Sequence, residues 1–210
     1  TRRGLPFVRY ADDSMIFCKS KRAAKRVKES ITRFIEGKLH LKVNRDKTIV
    51  SYVKGVKYLG YSFYVMKGKC QLTVHAKAKA KMKAKLKELT SRSNGWGYAK
   101  RKQKLEEYIK GWVGYYHLAN MKRFLIEMDE WLRRRLRMCI WKSWKRVKTK
   151  VANLVKCGID KYQAYLWGNS RLGYWRIAGS YILSRAITNE KLSMAGYATL
   201  MGAYIEWHPK

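Results

Sequence analysis

Carboxylates are scarce in this chain, and two of them are adjacent. Five of the 210 residues are Asp, and Asp12 stands next to Asp13. Neighbouring carboxylates repel each other. In a chain of net charge +34, neutralising each on its own arginine would be easier than keeping them together. A divalent cation resolves the repulsion, because Mg²⁺ takes hard oxygen ligands and is commonly held by one or two carboxylates together with substrate phosphates. A turn that favours Asp for its own hydrogen bonding would also account for a bare Asp-Asp. The flanks favour the metal: Phe7, Val8 and Tyr10 before the pair, and Met15, Ile16 and Phe17 after it, are apolar and β-prone. The pair is therefore expected at or beside the tip of a strand–turn–strand hairpin.

The second chemistry is cationic. Lys77, Lys79, Lys81, Lys83, Lys85 and Lys87 alternate with small and apolar residues, with Glu88 as the one acid. Ala and Lys form helices readily and strands poorly. The stretch therefore reads as a helix burying Ala78, Met82, Leu86 and Leu89, with lysines around most of its circumference. A lysine run is often only a solvated face. This one lacks the acidic i,i+4 partners that would stabilise it alone, and phosphates are the natural substitute. Arg133, Arg134, Arg135 and Arg137 point three ways around a later helix. They are expected to contact phosphates as well, which positions a backbone without reading its bases.

These groups need elements to hold them. Ala24, Val27, Ile31, Phe34 and Ile35 recur at helical spacing, predicting a helix from Lys21 to Leu39 with Ser20 as N-cap and a stop near Gly37. That helix can pack across the hairpin as an α+β layer. Asn44-Arg45-Asp46-Lys47 is turn chemistry between the short segment Leu41–Val43 and a β-branched strand, Thr48–Val53. A second hairpin runs from Gly55–Val65 through Lys67-Gly68-Lys69 to Cys70–Val74. Gly60 interrupts its first strand, which marks a bulge or a close backbone approach. Helices follow over 98–119 and 121–147 after a loop at Ser91–Gly97, then shorter ones broken at Gly158, Gly168-Asn169 and Gly173. An isolated hairpin is marginal in water, so the first one is expected to pair with later strands and to follow upstream sequence. The fold class is α+β, with an antiparallel-hairpin region over 1–75 and a mostly helical one over 76–210.

Four motifs in order carry a resemblance. Tyr10-Ala11-Asp12-Asp13 in an apolar hairpin resembles the signature hairpin of reverse transcriptases. Leu41-Lys42-Val43-Asn44-Arg45-Asp46-Lys47-Thr48 and Tyr58-Leu59-Gly60-Tyr61-Ser62-Phe63 match the same family in sequence order. Gly111-Trp112-Val113-Gly114-Tyr115-Tyr116 through Met128-Asp129-Glu130-Trp131-Leu132-Arg133-Arg134 resembles the maturase-specific region of group II intron proteins. The resemblance implies the end of a polymerase palm over 1–75 and a thumb with maturase region over 76–210. It implies RNA-directed DNA synthesis with Mg²⁺ in the full enzyme, Asp12 as principal ligand and Asp13 beside it. It places Lys47 near the incoming nucleotide and makes Tyr58, Leu59, Gly60 and Tyr61 the primer grip. Its partners are a group II intron RNA and an RNA template with its DNA primer. The family's other catalytic Asp belongs to an upstream motif that does not precede Thr1, so this chain alone is expected not to polymerise. Two alternatives are an RNA-binding splicing factor without polymerase activity and a retron-type enzyme. The long aromatic helical region after residue 98 argues against the second.

Charge agrees with a polyanionic partner. Residues 1–75 carry 18 basic and 5 acidic side chains, residues 76–150 carry 23 and 6, and residues 151–210 carry 7 and 3. The electropositive centre is the middle third, and nucleic acid is the polyanion that such a charge attracts through counterion release. Disorder is excluded by 47% hydrophobic and 13% aromatic content. No apolar run approaches a membrane span. Cys18, Cys70, Cys139 and Cys157 lack zinc-ligand spacing. Cys18 and Cys139 read as buried reduced thiols, and a cytoplasmic setting follows.

Overall fold

The computed structural model describes residues 4–209. The chain divides into two compact units, Thr1–His75 and Ala76–Lys210.

The first unit opens with strands β1 (Phe7–Tyr10) and β2 (Asp13–Ile16), paired antiparallel in the register Phe7↔Ile16 to Tyr10↔Asp13. Among the described residues this is a separate two-stranded sheet. The expected pairing with later strands does not form, and Phe7, Val8, Tyr10 and Phe17 remain exposed. Helix α1 (Lys21–Lys38) follows. The Ser20 side chain accepts from the Ala23 amide at 3.2 Å, the N-cap expected. Its apolar stripe is only half covered and none of its residues is fully buried. The left-handed residue beyond its end is His40, at φ +52, and not Gly37.

Thr48–Val53 is not a strand, contrary to its β-branched composition. The segment ends in a single 3₁₀ turn at Val53–Gly55 with Ile49 and Tyr52 exposed. β-propensity is realised only where a neighbour supplies hydrogen bonds and packing, and no described strand lies alongside. The second sheet is a meander of β3 (Lys57–Tyr58), β4 (Tyr61–Met66) and β5 (Lys69–Val74). Both of its turns place two consecutive residues at positive φ: Leu59 and Gly60 at +50 and +81, Lys67 and Gly68 at +50 and +74. That is the backbone of tight primed turns, whose twist matches the flanking strands. Gly60 therefore belongs to a turn and is not a bulge within a strand.

The second unit holds nearly all of the core. Helices α2 (Ala76–Leu89), α3 (Tyr98–Tyr116) and α4 (Lys122–Ser143) carry apolar stripes that fit together. Met82 and Leu86, then Leu105, Ile109 and Val113, then Leu125, Leu132 and Leu136 are all at most 1% exposed. α4 stops four residues short of the expected end. Trp144 leaves helical backbone at φ −81, ψ 65 and buries its ring 5.8 Å from that of Trp141. Shorter helices complete the unit: α5 (Val147–Lys156), α6 (Lys161–Gly168), α7 (Tyr174–Ala178), α8 (Tyr181–Ala186), α9 (Asn189–Met194) and α10 (Leu200–Glu206). Asp160, Thr188 and Thr199 accept from first-turn amides of α6, α9 and α10. α7 packs on α4, and α10 on both α3 and α4.

Candidate metal and nucleic-acid sites

The acidic pair sits where a two-residue loop joins β1 to β2. Tyr10 faces Asp13 across the ladder, and Ala11 and Asp12 make the turn. Ala11 takes φ +52, a conformation uncommon for a residue with a Cβ. The Arg9 Nε donates to the Ala11 carbonyl at 2.9 Å, bracing that turn. Both carboxylates are exposed. Their hard oxygens suit Mg²⁺. Among the described residues no third Asp, Glu, His or Cys joins them in a metal-sized group.

Lys47 is exposed on the turn expected for it. Its amide donates to Asn44 Oδ1 at 3.1 Å, and the Thr48 hydroxyl donates to the Asn44 carbonyl at 2.7 Å. Tyr58, Leu59, Gly60 and Tyr61 form the tip of the β3–β4 hairpin. The Gly60 carbonyl accepts from the His75 amide at 2.9 Å, and the Tyr58 hydroxyl is buried with no partner among the described residues.

On α2 the buried residues are Met82, Leu86 and Leu89. Ala78, expected with them, is half-buried. Lys77, Lys81, Lys83 and Lys85 are exposed and Lys79 half-buried. Lys79 Nζ lies 4.8 Å from the Phe124 ring centre and Lys83 Nζ 5.5 Å from that of Trp131. Lys85 pairs with Glu88 at 2.7 Å. The Lys85–Glu88 pair is an exposed, low-energy contact that a phosphate can replace.

The arginines of α4 face the other way. Arg133 is 4% exposed and donates to Ser193 Oγ at 3.1 Å. Arg135 donates to Thr90 Oγ1 at 2.5 Å, to the Thr90 carbonyl at 2.9 Å and to the Lys87 carbonyl at 3.0 Å. Arg137 donates to the Ile187 carbonyl at 2.7 Å and to Asn189 Oδ1 at 2.8 Å. Arg134 donates to the Trp175 carbonyl at 2.9 Å. Burial pulls Arg133, Arg135 and Arg137 below the usual guanidinium range, with the Asp129 charge opposing it at Arg133. The donors of Arg133, Arg135 and Arg137 named here tie α4 to α2, α8 and α9.

Two further residues escaped the sequence reading. Asp129 accepts from the Leu200 and Met201 amides, both at 2.8 Å, and so caps α10 from α4. Burial raises its carboxyl above the ordinary range, while those two amides pull the other way. Arg101 is 6% exposed, held by Asn94 Oδ1 at 3.1 Å. The partners of Asp129 lie 71 and 72 residues away, which no local pattern signals. The Cys139 thiol, buried as expected, donates to the Thr90 carbonyl at 3.2 Å, and its titration is pushed up by burial. No described helix is long and apolar enough to cross a membrane.

Comparison with known families agrees with this layout. Residues 1–63, with the acidic hairpin, match the reverse transcriptase (RNA-dependent DNA polymerase) family. Residues 79–158, from within α2 to just past α5, match the maturase-specific domain of group II introns. The chain belongs to the group II intron-type reverse transcriptase/maturase family. No curated protein matches it.

Proposed function

We propose that this chain is the palm-end, thumb and maturase portion of a group II intron-encoded protein, binding its intron RNA to assist splicing and contributing to RNA-directed DNA synthesis on an RNA template with a DNA primer. The observation that carries RNA binding is the α2 face. Lys77, Lys79, Lys81, Lys83 and Lys85 surround a helix whose opposite side is anchored by Met82, Leu86 and Leu89, and only one carboxylate, Glu88, lies along it. Asp12 and Asp13 would hold Mg²⁺, which supplies electrostatic stabilisation of charge on phosphate oxygens. Lys47 is assigned to the incoming nucleotide, and the Tyr58–Tyr61 turn to the primer strand. A further carboxylate is needed to clamp two ions, so this chain by itself is expected to bind RNA without incorporating nucleotides. Its cysteines are free thiols, in keeping with a cytoplasmic setting.

The test is a salt titration of RNA affinity for the chain and for a variant with Lys79, Lys81, Lys83 and Lys85 changed to Gln. The variant should bind every RNA more weakly. Its slope of log K against log salt should flatten by about 0.7 to 0.9 for each phosphate no longer neutralised. An unchanged slope would make the lysines a solvated face.

A further inference from the structure

Between Lys161 and Asn189 the chain has no acidic residue, yet it carries Lys161, Arg171, Arg176 and Arg185 among Tyr162, Tyr165, Trp167, Tyr174, Trp175 and Tyr181. Within this stretch α7 presents two neighbouring aromatic rings, each with a guanidinium against it. Arg134 lies 4.0 Å from the centre of the Trp175 ring, and Arg92 lies 4.7 Å from that of Tyr174. Tyr174 and Trp175 are exposed residues, at 38% and 40%. Arg134 is fixed in place by donating through Nε and Nη2 to the Trp175 carbonyl. It passes so close to Gly179 that a Cβ there would collide with its guanidinium. Its Nη1 has no partner among the described residues.

We infer that Tyr174 and Trp175, flanked by Arg92 and Arg134, form a stacking platform for unpaired nucleotides of the bound RNA. The inference rests on the RNA-binding reading above and names the part of the RNA that this surface takes. Exposed rings beside cations are what single strands require. Every base has a face to stack, and the adjacent guanidiniums serve both the ring and the following phosphate. A duplex keeps its base faces inside and offers such a surface only its ends. The platform therefore differs in kind from the α2 lysines, which address phosphates of any RNA.

The experiment measures binding of the whole chain to a short unstructured RNA of mixed sequence and to the duplex formed with its complement. Trp175→Ala and Tyr174→Ala should each weaken single-strand binding by about tenfold, leaving duplex affinity and the salt slope unchanged. Trp175→Phe, which keeps a stacking face, should stay near wild type. Equal losses on strand and duplex, or no loss on either, would overturn the platform and leave the cation–π pairs as braces of α7. Should Trp175→Ala melt early, Tyr174→Ala, which leaves the Arg134 tie intact, decides alone. A chain that binds neither RNA overturns the proposed function itself. Duplex binding that still depends on the α2 lysines, with no aromatic dependence, overturns only the platform.

Discussion

Single residues in this chain divide into those whose chemistry is local and those whose partners are remote. Asp12 is of the first kind. The metal role proposed for it rests on its neighbours on the hairpin, and Asp12→Asn in the polymerase that carries this hairpin should abolish primer extension; readily measured synthesis would sink the metal assignment. Asp129 is of the second kind. Truncating it to Ala leaves two part-buried amides at the start of α10 without their acceptor, at a cost of about 1–3 kcal/mol. Chemical denaturation should register this as a lowered midpoint. The carboxyl titrates above its ordinary value because burial disfavours the charge. The folded state then holds its proton more tightly than the unfolded chain. Its contribution is complete below the unfolded pKa and declines as pH rises through the folded one. The stability difference between wild type and Asp129→Asn should therefore narrow with rising pH across that window. A flat difference would mean that the carboxyl is not perturbed.

At the scale of elements, what was legible depended on how far away the deciding partner lay. The hairpin, α1 with its Ser20 cap, the Asn44 turn and the α2 and α3 stripes are set by residues within a few positions, and the sequence announced them. Thr48–Val53 has strand composition but no adjoining strand among the described residues, and α4 ends early because Trp144 is drawn inward. Neither event is encoded locally. The internal partners of the α4 arginines are likewise not encoded locally. Arg next to Arg reads as a phosphate cluster, and their acceptors within the unit are carbonyls and side chains 41 to 60 residues away. Arg135 is the clearest test. It closes three hydrogen bonds across α2 and α4, so Arg135→Gln should lower the melting temperature by several degrees while leaving the salt slope of RNA binding within error. A flattened slope at normal stability would return Arg135 to the RNA surface.

Taken as a whole molecule, stability is concentrated in the second unit. Among the described residues Val74 is the one buried apolar side chain before Ala76, and all eight Trp lie after it. Hydrogen exchange should therefore show strong protection along α3 and α4 and fast exchange over β1, β2 and α1. Trp fluorescence should report the unfolding of the helical unit. Slow exchange in the first hairpin would contradict this division. The two units with contrasting character were visible in the chain, since the β-prone runs end before Ala76 and strong helix formers follow. The weight of the core was not, because apolar content is similar on both sides and only packing reveals which residues are covered.

The cap on α10 also sets a clock. The Tyr204 hydroxyl donates to the Ala119 carbonyl at 3.0 Å across 85 residues, beside the Asp129 cap. The face of α3 and α4 that α10 covers cannot be sealed until the chain between has been synthesised. At ordinary elongation speeds that interval is roughly 4 to 17 seconds. During it an apolar surface of a strongly cationic chain stands open, and a polyanion already bound to α2 would be present while the nascent helices wait for their last partner.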